Sequence, residues 1–376
     1  MSENPFSDNM SRLIDLGFSK NLNKIILLNE SNQAWASGLR IRGTILSIDL
    51  RNREIRYYTP ILEFWRSEDR LRESIGKRFS VEVLGYYRYK ISVPEDIRVF
   101  EGGFKEAIKQ ELKDLESKTC GTDQFDSDSE LREILGKCTD LREDLGELRS
   151  VKSEKEINLI SRAAEISMRA LKKLLEEDII GRFERELAAR LSYLMRVYGA
   201  DSEAFPTIVA VDKDAANPHH ESGLKVVSLG DSVLVDIGAR VNEYNSDMTR
   251  MIIHRDSERH RDFIESVSEA IDRALEKLYP GTRASEIDRV ARETLEKRGY
   301  SKYYIHSTGH GVGVEVHEKP MLSLSSNDII EENNVVTIEP GIYLRDRIGV
   351  RIEELVLVSS RGPKVITSLA RVLEYT

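Results

Sequence analysis

Apolar residues occur in short runs in some stretches of this chain and with helical spacing in others. In the N-terminal part, short apolar runs bounded by polar residues predict strands at 23–28, 43–49, 54–59 and 79–85. Helical spacing in the same part predicts helices at 62–75 and 104–115. The acidic stretch 122–130 has few apolar residues and is predicted to be an exposed loop. The first part of the chain is therefore predicted to be an α/β layer.

A helix start at Ser153 marks where the second part of the chain begins. Ser153 is followed three residues later by Glu156, which is the spacing of a capping box, and the apolar positions that follow have helical spacing. Residues 146–152 just before this helix are the predicted linker. The predicted domains are 1–146 and 147–376.

A β-hairpin that carries carboxylates is predicted early in the second domain. Its apolar strands run over 233–238 and 244–251 and are joined by a short polar turn at 240–243. If the hairpin is centred between Val241 and Asn242, Asp236 lies directly opposite Asp247, with their Cβ atoms roughly 5 Å apart. Two carboxylates held together in an apolar strand pair repel each other. The pattern therefore predicts one or two bound divalent cations.

A second hairpin, over 335–358, repeats this arrangement. With its tip at residues 345–347, Glu339 faces Glu353. Between the hairpins, glycines at 309, 311 and 313 flank His310, and we expect them to let the backbone approach a ligand closely. Four carboxylates and one imidazole suit two hydrolytic divalent ions such as Mn, Co, Zn or Fe.

Two other interpretations of these motifs are possible. The glycine pattern around His310 is also typical of a phosphate-binding loop, but such a loop opens a helix, whereas extended structure is predicted after residue 313. The carboxylates can also be surface salt-bridge partners of Arg250 and Arg351. The Val, Leu and Ile residues around them disfavour that second interpretation.

The second domain also contains an internal similarity. Residues 181–199 and 281–299 have the same length, and each segment begins and ends on glycine. Chance can align two amphipathic helices of one length, but each segment is followed by a carboxylate hairpin. We therefore expect a duplicated unit that places one carboxylate pair from each half around a central pseudo-twofold axis.

Composition narrows the class of protein. The chain has 376 residues, 40% of them hydrophobic and 32% charged, with a net charge of −9, which argues against a nucleic-acid surface and favours small-molecule partners. No secretory signal and no apolar run of transmembrane length are found, so a cytoplasmic location without membrane contact is expected. Cys120 and Cys138 are predicted to be free thiols, with a bridge between them as the alternative.

Five segments carry a resemblance to a known family: VDIGAR…YNSDMTR, STGHGVGVEVHE, TIEPGIY and GVRIEE, in this order along the chain. They resemble the motifs of the pita-bread metallopeptidases, which include prolidase, aminopeptidase P and methionine aminopeptidase. The resemblance implies an α/β (α+β) fold. In that fold a creatinase-like N-terminal α/β domain precedes a pita-bread catalytic domain, a curved antiparallel sheet with helices and an internal pseudo-twofold.

The resemblance also implies roles for individual residues. The metal ligands of the family correspond to Asp236, Asp247, His310, Glu339 and Glu353. The non-ligand histidines of the site correspond to His219, His306 and His317, and the resemblance places His219 and His317 to hydrogen-bond the substrate carbonyl and the oxyanion.

Two further expectations concern residues next to the metals. Two ions about 3.5–4 Å apart lower the pKa of a shared water, which attacks as hydroxide, and Glu339 is the candidate for shuttling its proton. Arg351 is expected to orient a substrate carboxylate or to pair with a ligand. The remaining histidines, His220, His254 and His260, are expected to be structural or solvated.

The function implied by the resemblance is a cytoplasmic dinuclear exopeptidase that cleaves between an N-terminal residue and proline, as an Xaa-Pro dipeptidase or aminopeptidase. Short proline-containing peptides are the expected partners, and a homodimer is the expected assembly. The alternatives are a non-peptidase hydrolase or a catalytically silent binding protein on the same fold. The chain departs from the family pattern at Glu243, where glycine is usual, and at Met251, where threonine is usual.

Overall fold

The computed structural model describes residues 4–87, 92–113, 115, 119–124, 129–255 and 260–375. The chain divides into two compact units, Met1–Arg149 and Ser150–Thr376. This division lies within the predicted linker. The linker is not a loop throughout, because a helix spans Arg142–Ser150.

The first unit is a mixed sheet with helices. Its strands are β1 Lys24–Leu27, β2 Ile45–Asp49, β3 Glu54–Pro60, β4 Val81–Tyr86, β5 Val99–Phe100, β6 Cys120–Thr122 and β7 Thr139–Asp140. Its helices are α1 Phe6–Ser19, α2 Glu30–Ser37, α3 Phe64–Ser74, α4 Phe104–Glu111, α5 Ser129–Leu135 and α6 Arg142–Ser150. Within the described residues the strands form one sheet in the order β5-β4-β3-β2-β1-β6-β7. The four predicted strands and the two predicted helices are confirmed, whereas α1 and α2 had not been predicted.

The two cysteines form a disulfide, so the prediction of free thiols was wrong. Cys120 begins β6 and Cys138 lies directly before β7, and these strands pair in parallel with Gly121 opposite Thr139. The pairing brings the Cα atoms of the two cysteines to 4.7 Å, within the range for a disulfide. Both side chains lie in the hydrophobic core of this unit.

The predicted exposed loop at 122–130 is also wrong at both of its ends. Thr122 ends β6 and is buried, and Asp123 is buried beside it. The Asp123 carboxylate accepts hydrogen bonds from the backbone N–H of Leu28 at 2.8 Å and from Asn32 Nδ2 at 2.9 Å, which is why this acidic residue can be buried. Helix α5 then begins at Ser129, and residues 125–128 lie outside the described residues.

The second unit contains longer helices and several mainly antiparallel sheets. Its helices are α7 Glu154–Leu175, α8 Glu184–Val197, α9 Arg261–Leu275 and α10 Ala284–Lys297. The strands of its first half are β8 Ser202–Glu203, β9 Ile208–Val211, β10 Val233–Ile237, β11 Ala239–Val241, β12 Tyr244–Asn245 and β13 Met248–His254. The remaining strands are β14 Gly309–Gly311, β15 Glu318–Leu322, β16 Val335–Ile338, β17 Gly341–Leu344, β18 Ile348–Arg351, β19 Glu354–Leu357, β20 Lys364–Val365 and β21 Val372–Tyr375.

Two sheets of this unit carry the site. In the described part of the chain their strand orders are β21-β13-β10-β9 and β15-β14-β16-β19-β20. Buried faces of α9 and α10 pack with the strands of the second half in one hydrophobic core. The helices therefore support the strands that carry the site residues, as a precise ligand site requires.

The start of α7 has the predicted capping box. Ser153 Oγ accepts a hydrogen bond from the Glu156 N–H, and the Glu156 carboxylate accepts one at 2.8 Å from the Ser153 N–H. The apolar face of α7 is buried along its length, as its spacing predicts.

The internal repeat is confirmed by matching backbone contacts. Gly181 and Gly281 both have positive φ angles, of 80° and 90°, and both donate a 2.8 Å hydrogen bond to a residue of a later extended segment. Three residues after each glycine a helix begins, α8 in the first half and α10 in the second. Only glycine adopts such φ angles without a steric cost, so the shared glycines fix the same turn in both halves.

In the parts of the chain that the structure describes, no helix is long and apolar enough to cross a bilayer.

Candidate metal centre

The first hairpin is tighter than predicted. Strands β10 and β13 pair Asp236 with Thr249, and the hairpin closes at Asn242 and Glu243, which have φ angles of 50° and 74°. Two central residues with positive φ are typical of a two-residue turn that matches the strand twist. Direct opposition of Asp236 and Asp247 was therefore wrong. The residue opposite Asp236 is Thr249, two positions from Asp247. Side chains two positions apart on a strand point to the same face, so both carboxylates still share one face of the hairpin.

The register of the second hairpin is as predicted. Ile338 pairs with Glu354 on one side of the site and Gly341 with Arg351 on the other, so Glu339 and Glu353 face each other between the two ladders. The tip of this hairpin lies at Asp346, which has a φ angle of 59°.

The glycines around His310 serve neighbouring strands rather than a ligand. A Cβ atom on Gly309 would lie 2.0 Å from the Thr337 carbonyl oxygen, and one on Gly311 would lie 2.0 Å from the Lys319 carbonyl oxygen. These glycines allow β14 to pack between β15 and β16 and so place the His310 ring.

The five predicted ligands lie together in the buried space between the hairpins. His310 Nε2 lies 3.2 Å from Glu339 Oε1 and 3.9 Å from Asp247 Oδ2. One ligand atom each from Asp247, His310 and Glu353 lies within 4.8 Å of the other two. The side chain of Asp236 lies close enough to Asp247 and Glu353 for its charge to raise the pKa of both.

The charges in this cluster do not balance. Burial raises the pKa of Asp236, Asp247 and Glu353, and the negative charge of neighbouring carboxylates raises all three further. Glu339 differs: burial alone would raise its pKa, but the hydrogen bond and charge of His310 lower it to about 2. The cluster therefore has more negative charge than its own cations neutralise.

The residues present fit divalent metal ions. Asp236 Oδ1 is buried, and it has no hydrogen-bond partner among the described residues. Its other oxygen, Oδ2, accepts a 2.7 Å hydrogen bond from Arg351 Nη2. A buried carboxylate oxygen without a donor, in a cluster with excess negative charge, is suited to bind a cation. Oxygen donors with a single imidazole suit hard to intermediate divalent ions.

Arg351 pairs with a ligand residue, one of the two roles expected of it. Its Nε also donates at 3.1 Å to Thr249 Oγ1, and Thr249 in turn donates at 2.8 Å to Glu353 Oε2. Arg250 is buried and bonds to Glu354 and to backbone carbonyls. Neither arginine is at the surface, so the interpretation of the carboxylates as surface salt bridges is wrong.

Two of the three non-ligand histidines lie exposed beside the cluster. The His317 ring stands edge-on to the His310 ring with centroids 4.2 Å apart. Partial burial of the ring lowers the pKa of His317, and the charges of His310 and His219 lower it further, so His219 also lies near. The His219 N–H donates to Asn217 Oδ1.

His306 is bonded within the protein through both ring nitrogens. Its Nδ1–H donates to the Ser307 carbonyl oxygen at 2.8 Å, and its Nε2 accepts from the Tyr343 hydroxyl at 2.8 Å. Burial lowers the pKa of His306, which favours this neutral form, and burial raises the pKa of Tyr343 to about 12. In this arrangement the ring can contact a substrate only through its carbon atoms.

Residues 158–360 match the sequence profile of metallopeptidase family M24, and this match covers more than half of the chain. The chain belongs to metallopeptidase family M24. The resemblance drawn from its motifs is thereby confirmed.

Several known proteins are similar to this chain in sequence or in structure. An Xaa-Pro dipeptidase of Pyrococcus furiosus is 43% identical over 228 residues, which span 60% of this chain and 66% of that relative, slightly less than two thirds of its length. The solved X-Pro aminopeptidase of Thermotoga maritima has a TM-score of 0.84 at 30% identity over 98% of this chain and 99% of that one. The solved prolidase of P. furiosus has a TM-score of 0.79 at 33% identity, over 95% and 100% of the two chains. These likenesses confirm the predicted α/β pita-bread fold.

Several residues of this M24 site were missed by the sequence analysis. Thr249 and Tyr343 lie inside the quoted motifs, at DMTR and GIY, so the motifs marked them but gave no reason to select them. Glu184 was not selected either, and it accepts a 2.8 Å hydrogen bond, across 36 residues of chain, from His220, which was expected to be structural or solvated. No local pattern indicates that contact.

Proposed function

We propose that this chain is a metal-dependent exopeptidase that hydrolyses the bond between an N-terminal residue and proline, with two divalent ions held by Asp236, Asp247, His310, Glu339 and Glu353. The observation that carries the proposal is the cluster of four carboxylates and one imidazole, all buried except the partly buried Glu339, in which one oxygen of Asp236 has no donor among the described residues. The preference for proline is supported by the names of the relatives, an Xaa-Pro dipeptidase and an X-Pro aminopeptidase.

Bound divalent ions would supply a water of lowered pKa and polarise the scissile carbonyl. Glu339 then accepts a proton from the attacking water and delivers it to the leaving nitrogen. The lowered pKa of Glu339 means that its carboxylate is ionised at neutral pH, the form that can take up a proton. His310 Nδ1–H donates at 3.2 Å to the Gly311 carbonyl oxygen, so its Nε2, 3.2 Å from Glu339 Oε1, is the proposed ligand atom.

His219 and His317 are the proposed donors to the substrate carbonyl and to the oxyanion that replaces it. Both side chains are exposed beside the buried ligands, where a bound peptide can reach them. The lowered pKa of His317 keeps its imidazole neutral at pH 7, and a neutral imidazole still carries one N–H to donate. A donor aimed at developing negative charge lowers the barrier more than one aimed at the ground state.

Arg351 and His306 are proposed to shape the substrate pocket. Arg351 donates at 3.1 Å to the Tyr343 hydroxyl, which in turn donates to His306, so the three side chains hold one another. The Arg351 guanidinium already donates to Asp236 and to the Tyr343 hydroxyl. It therefore attracts a substrate carboxylate by its positive charge. His306 contributes the carbon face of its ring.

Further proposals concern the rest of the molecule. We assign the unit Met1–Arg149 as a creatinase-type N-terminal domain and the assembly as a homodimer. Manganese or cobalt are the proposed native metals among Mn, Co, Zn and Fe. The cytoplasmic location stays a prediction from the sequence.

The test is hydrolysis of matched peptides after metal reconstitution. Protein stripped with a chelator and reloaded with Mn²⁺ or Co²⁺ is assayed with an Xaa-Pro dipeptide, an Xaa-Pro tripeptide and an Xaa-Ala dipeptide that share the same first residue. We expect hydrolysis of at least one Xaa-Pro peptide and much slower hydrolysis of Xaa-Ala. Equal rates on the two dipeptides would refute proline specificity. Binding of metal without hydrolysis of any peptide would favour the silent binding protein or a non-peptidase hydrolase.

A further inference from the structure

A buried carboxylate closes the loop that carries His219. Glu184, at the start of α8, is fully buried and accepts hydrogen bonds from the Val211 N–H at 2.8 Å and from the Gly223 N–H at 2.9 Å. Val211 ends β9, so these two bonds join the two ends of residues 212–222, which we call the His219 loop. The same carboxylate accepts a third hydrogen bond, at 2.8 Å, from His220 Nε2 inside the loop.

Contacts on the opposite side of the His219 loop tie it to the second hairpin. The Pro218 carbonyl oxygen accepts from Arg351 Nη1 at 3.4 Å. A Cβ atom on Gly349 would lie 1.7 Å from the Ala215 carbonyl oxygen, so the loop backbone rests directly on β18. His219 is thus held between the second hairpin and the Glu184 carboxylate.

The internal repeat shows that Glu184 is not needed for the local fold. Its counterpart in the second half is Ala284, one hundred residues later, at the start of α10. Both residues make the equivalent backbone hydrogen bond, from Glu184 N–H to the Lys225 carbonyl at 3.0 Å and from Ala284 N–H to the Asp328 carbonyl at 2.9 Å. The helix start and its strand contact therefore form equally well with a methyl group. The Glu184 carboxylate instead bonds to the His219 loop of the first half.

A second metal site at this position is not supported. Glu184, Asp214 and His220 lie close enough to share an ion. However, both oxygens of Glu184 already accept hydrogen bonds, and Asp214 lies 3.7 Å from the Lys225 ammonium group. A cation would have to displace that ammonium group and the backbone donors.

We propose that Glu184 and His220 are positioning residues for His219: the His220–Glu184 hydrogen bond fixes the end of the loop so that the adjacent His219 presents its ring to the substrate. The inference rests on the proposed role of His219 in peptide hydrolysis. Because a displacement of about 1 Å at a catalytic group can cost about a hundredfold in rate, a loosened loop should lower kcat without loss of metal.

The experiment compares His220→Leu with His220→Gln, each in the wild-type and in the His219→Ala background. The Gln side chain retains an N–H donor that can reach Glu184, and Leu does not. His220→Asn, whose amide is too short to reach, replaces the Leu variant if that variant does not fold. His254→Leu, at a histidine in β13 without a proposed role, is the matched control. The readouts are kcat and KM on an Xaa-Pro dipeptide with Mn²⁺, bound metal, and hydrogen–deuterium exchange of residues 212–222.

We expect His220→Leu to lower kcat between about tenfold and about a hundredfold at unchanged metal content, with faster exchange in the His219 loop. The Gln variant should recover most of the rate, and the Leu variant should cause no further loss in the His219→Ala background. The proposal is overturned if His220→Leu has the wild-type kcat. It is also overturned if His220→Leu lowers kcat by the same factor in the wild-type and in the His219→Ala background. If the wild-type protein cleaves no Xaa-Pro peptide, the proposed function fails. Hydrogen–deuterium exchange then tests by itself whether His220 fixes the His219 loop. Equal exchange of the loop in the Leu and Gln variants would refute that role.

Discussion

The residues of the candidate site divide into buried carboxylates and exposed imidazoles. Asp236, Asp247 and Glu353 are buried among like charges, whereas His219 and His317 stand exposed beside them. Loss of a carboxylate should therefore weaken metal binding, and loss of an exposed imidazole should not.

We predict that His219→Ala and His317→Ala each retain wild-type metal content and lose roughly a hundredfold or more in kcat, as when an oxyanion donor is removed. Elemental analysis and steady-state kinetics on one Xaa-Pro dipeptide measure both quantities. A variant that turns over at the wild-type rate removes that histidine from the catalytic site.

Outside the site, a buried ion pair contributes to the stability of the first unit. Lys24 Nζ lies 2.6 Å from Glu111 Oε2, and both side chains are buried. Burial alone would raise the pKa of Glu111, but hydrogen bonds from Lys24, Ser47 and Tyr58 outweigh it and lower the pKa below its usual value of 4.5. The unfolded state thus binds the proton more readily. The stabilisation is present above pH 4.5 and is lost as the pH falls through the folded-state pKa.

Glu111→Gln should accordingly destabilise the first unit by about 3–5 kcal/mol at pH 7, because it leaves Lys24 buried without its counter-charge. The difference from wild type should shrink as the pH falls below 4.5. Urea unfolding followed by tryptophan fluorescence measures this, since both tryptophans, Trp35 and Trp65, lie in the first unit. Glu130→Gln, at an exposed partner of two lysines, is the control and should change little. A difference that stays constant from pH 7 to pH 3 would contradict this assignment.

At the scale of elements, the two hairpins show what local pattern can and cannot predict. The second hairpin was placed in the correct register because its charged tip is short and its apolar strands leave one pairing. The first was misplaced because its polar turn looked longer than the Asn242–Glu243 pair that closes it. A tight turn with both residues at positive φ is usually signalled by glycine, and here Glu243 replaces that glycine.

The same turn gives a stability prediction. Glu243 has a φ angle of 74°, a conformation that costs residues with a Cβ atom roughly 1–2 kcal/mol. Glu243→Gly should therefore raise the free energy of unfolding by about 1 kcal/mol. Thermal unfolding followed by circular dichroism measures the change. Asn242→Gly should gain less, because asparagine tolerates this conformation. A loss of stability in Glu243→Gly would show that the glutamate side chain makes a contact worth more than the backbone strain.

At the scale of the whole molecule, patterns in sequence predicted features that repeat or align along the chain, but a helix and a disulfide of the first unit were missed. The glycine-bounded helices 181–199 and 281–299 and the motif residues gave the repeat and the ligand candidates. Helix α1 was missed although Phe6, Met10 and Leu13 have helical spacing and are all buried. The disulfide was missed because it depends on β6 and β7 being neighbours in the sheet, a pairing that no local spacing encodes.

The central claim, that buried carboxylates hold catalytic metal, is tested most directly by titrating chelator-stripped protein with Mn²⁺ while following hydrolysis of an Xaa-Pro dipeptide. We predict negligible activity without metal, and a rise that saturates near two equivalents per chain. Asp236→Ala and Glu353→Ala should bind less metal than wild type at every point of the titration. Wild-type metal content in both variants, or full activity of the stripped protein, would contradict the account.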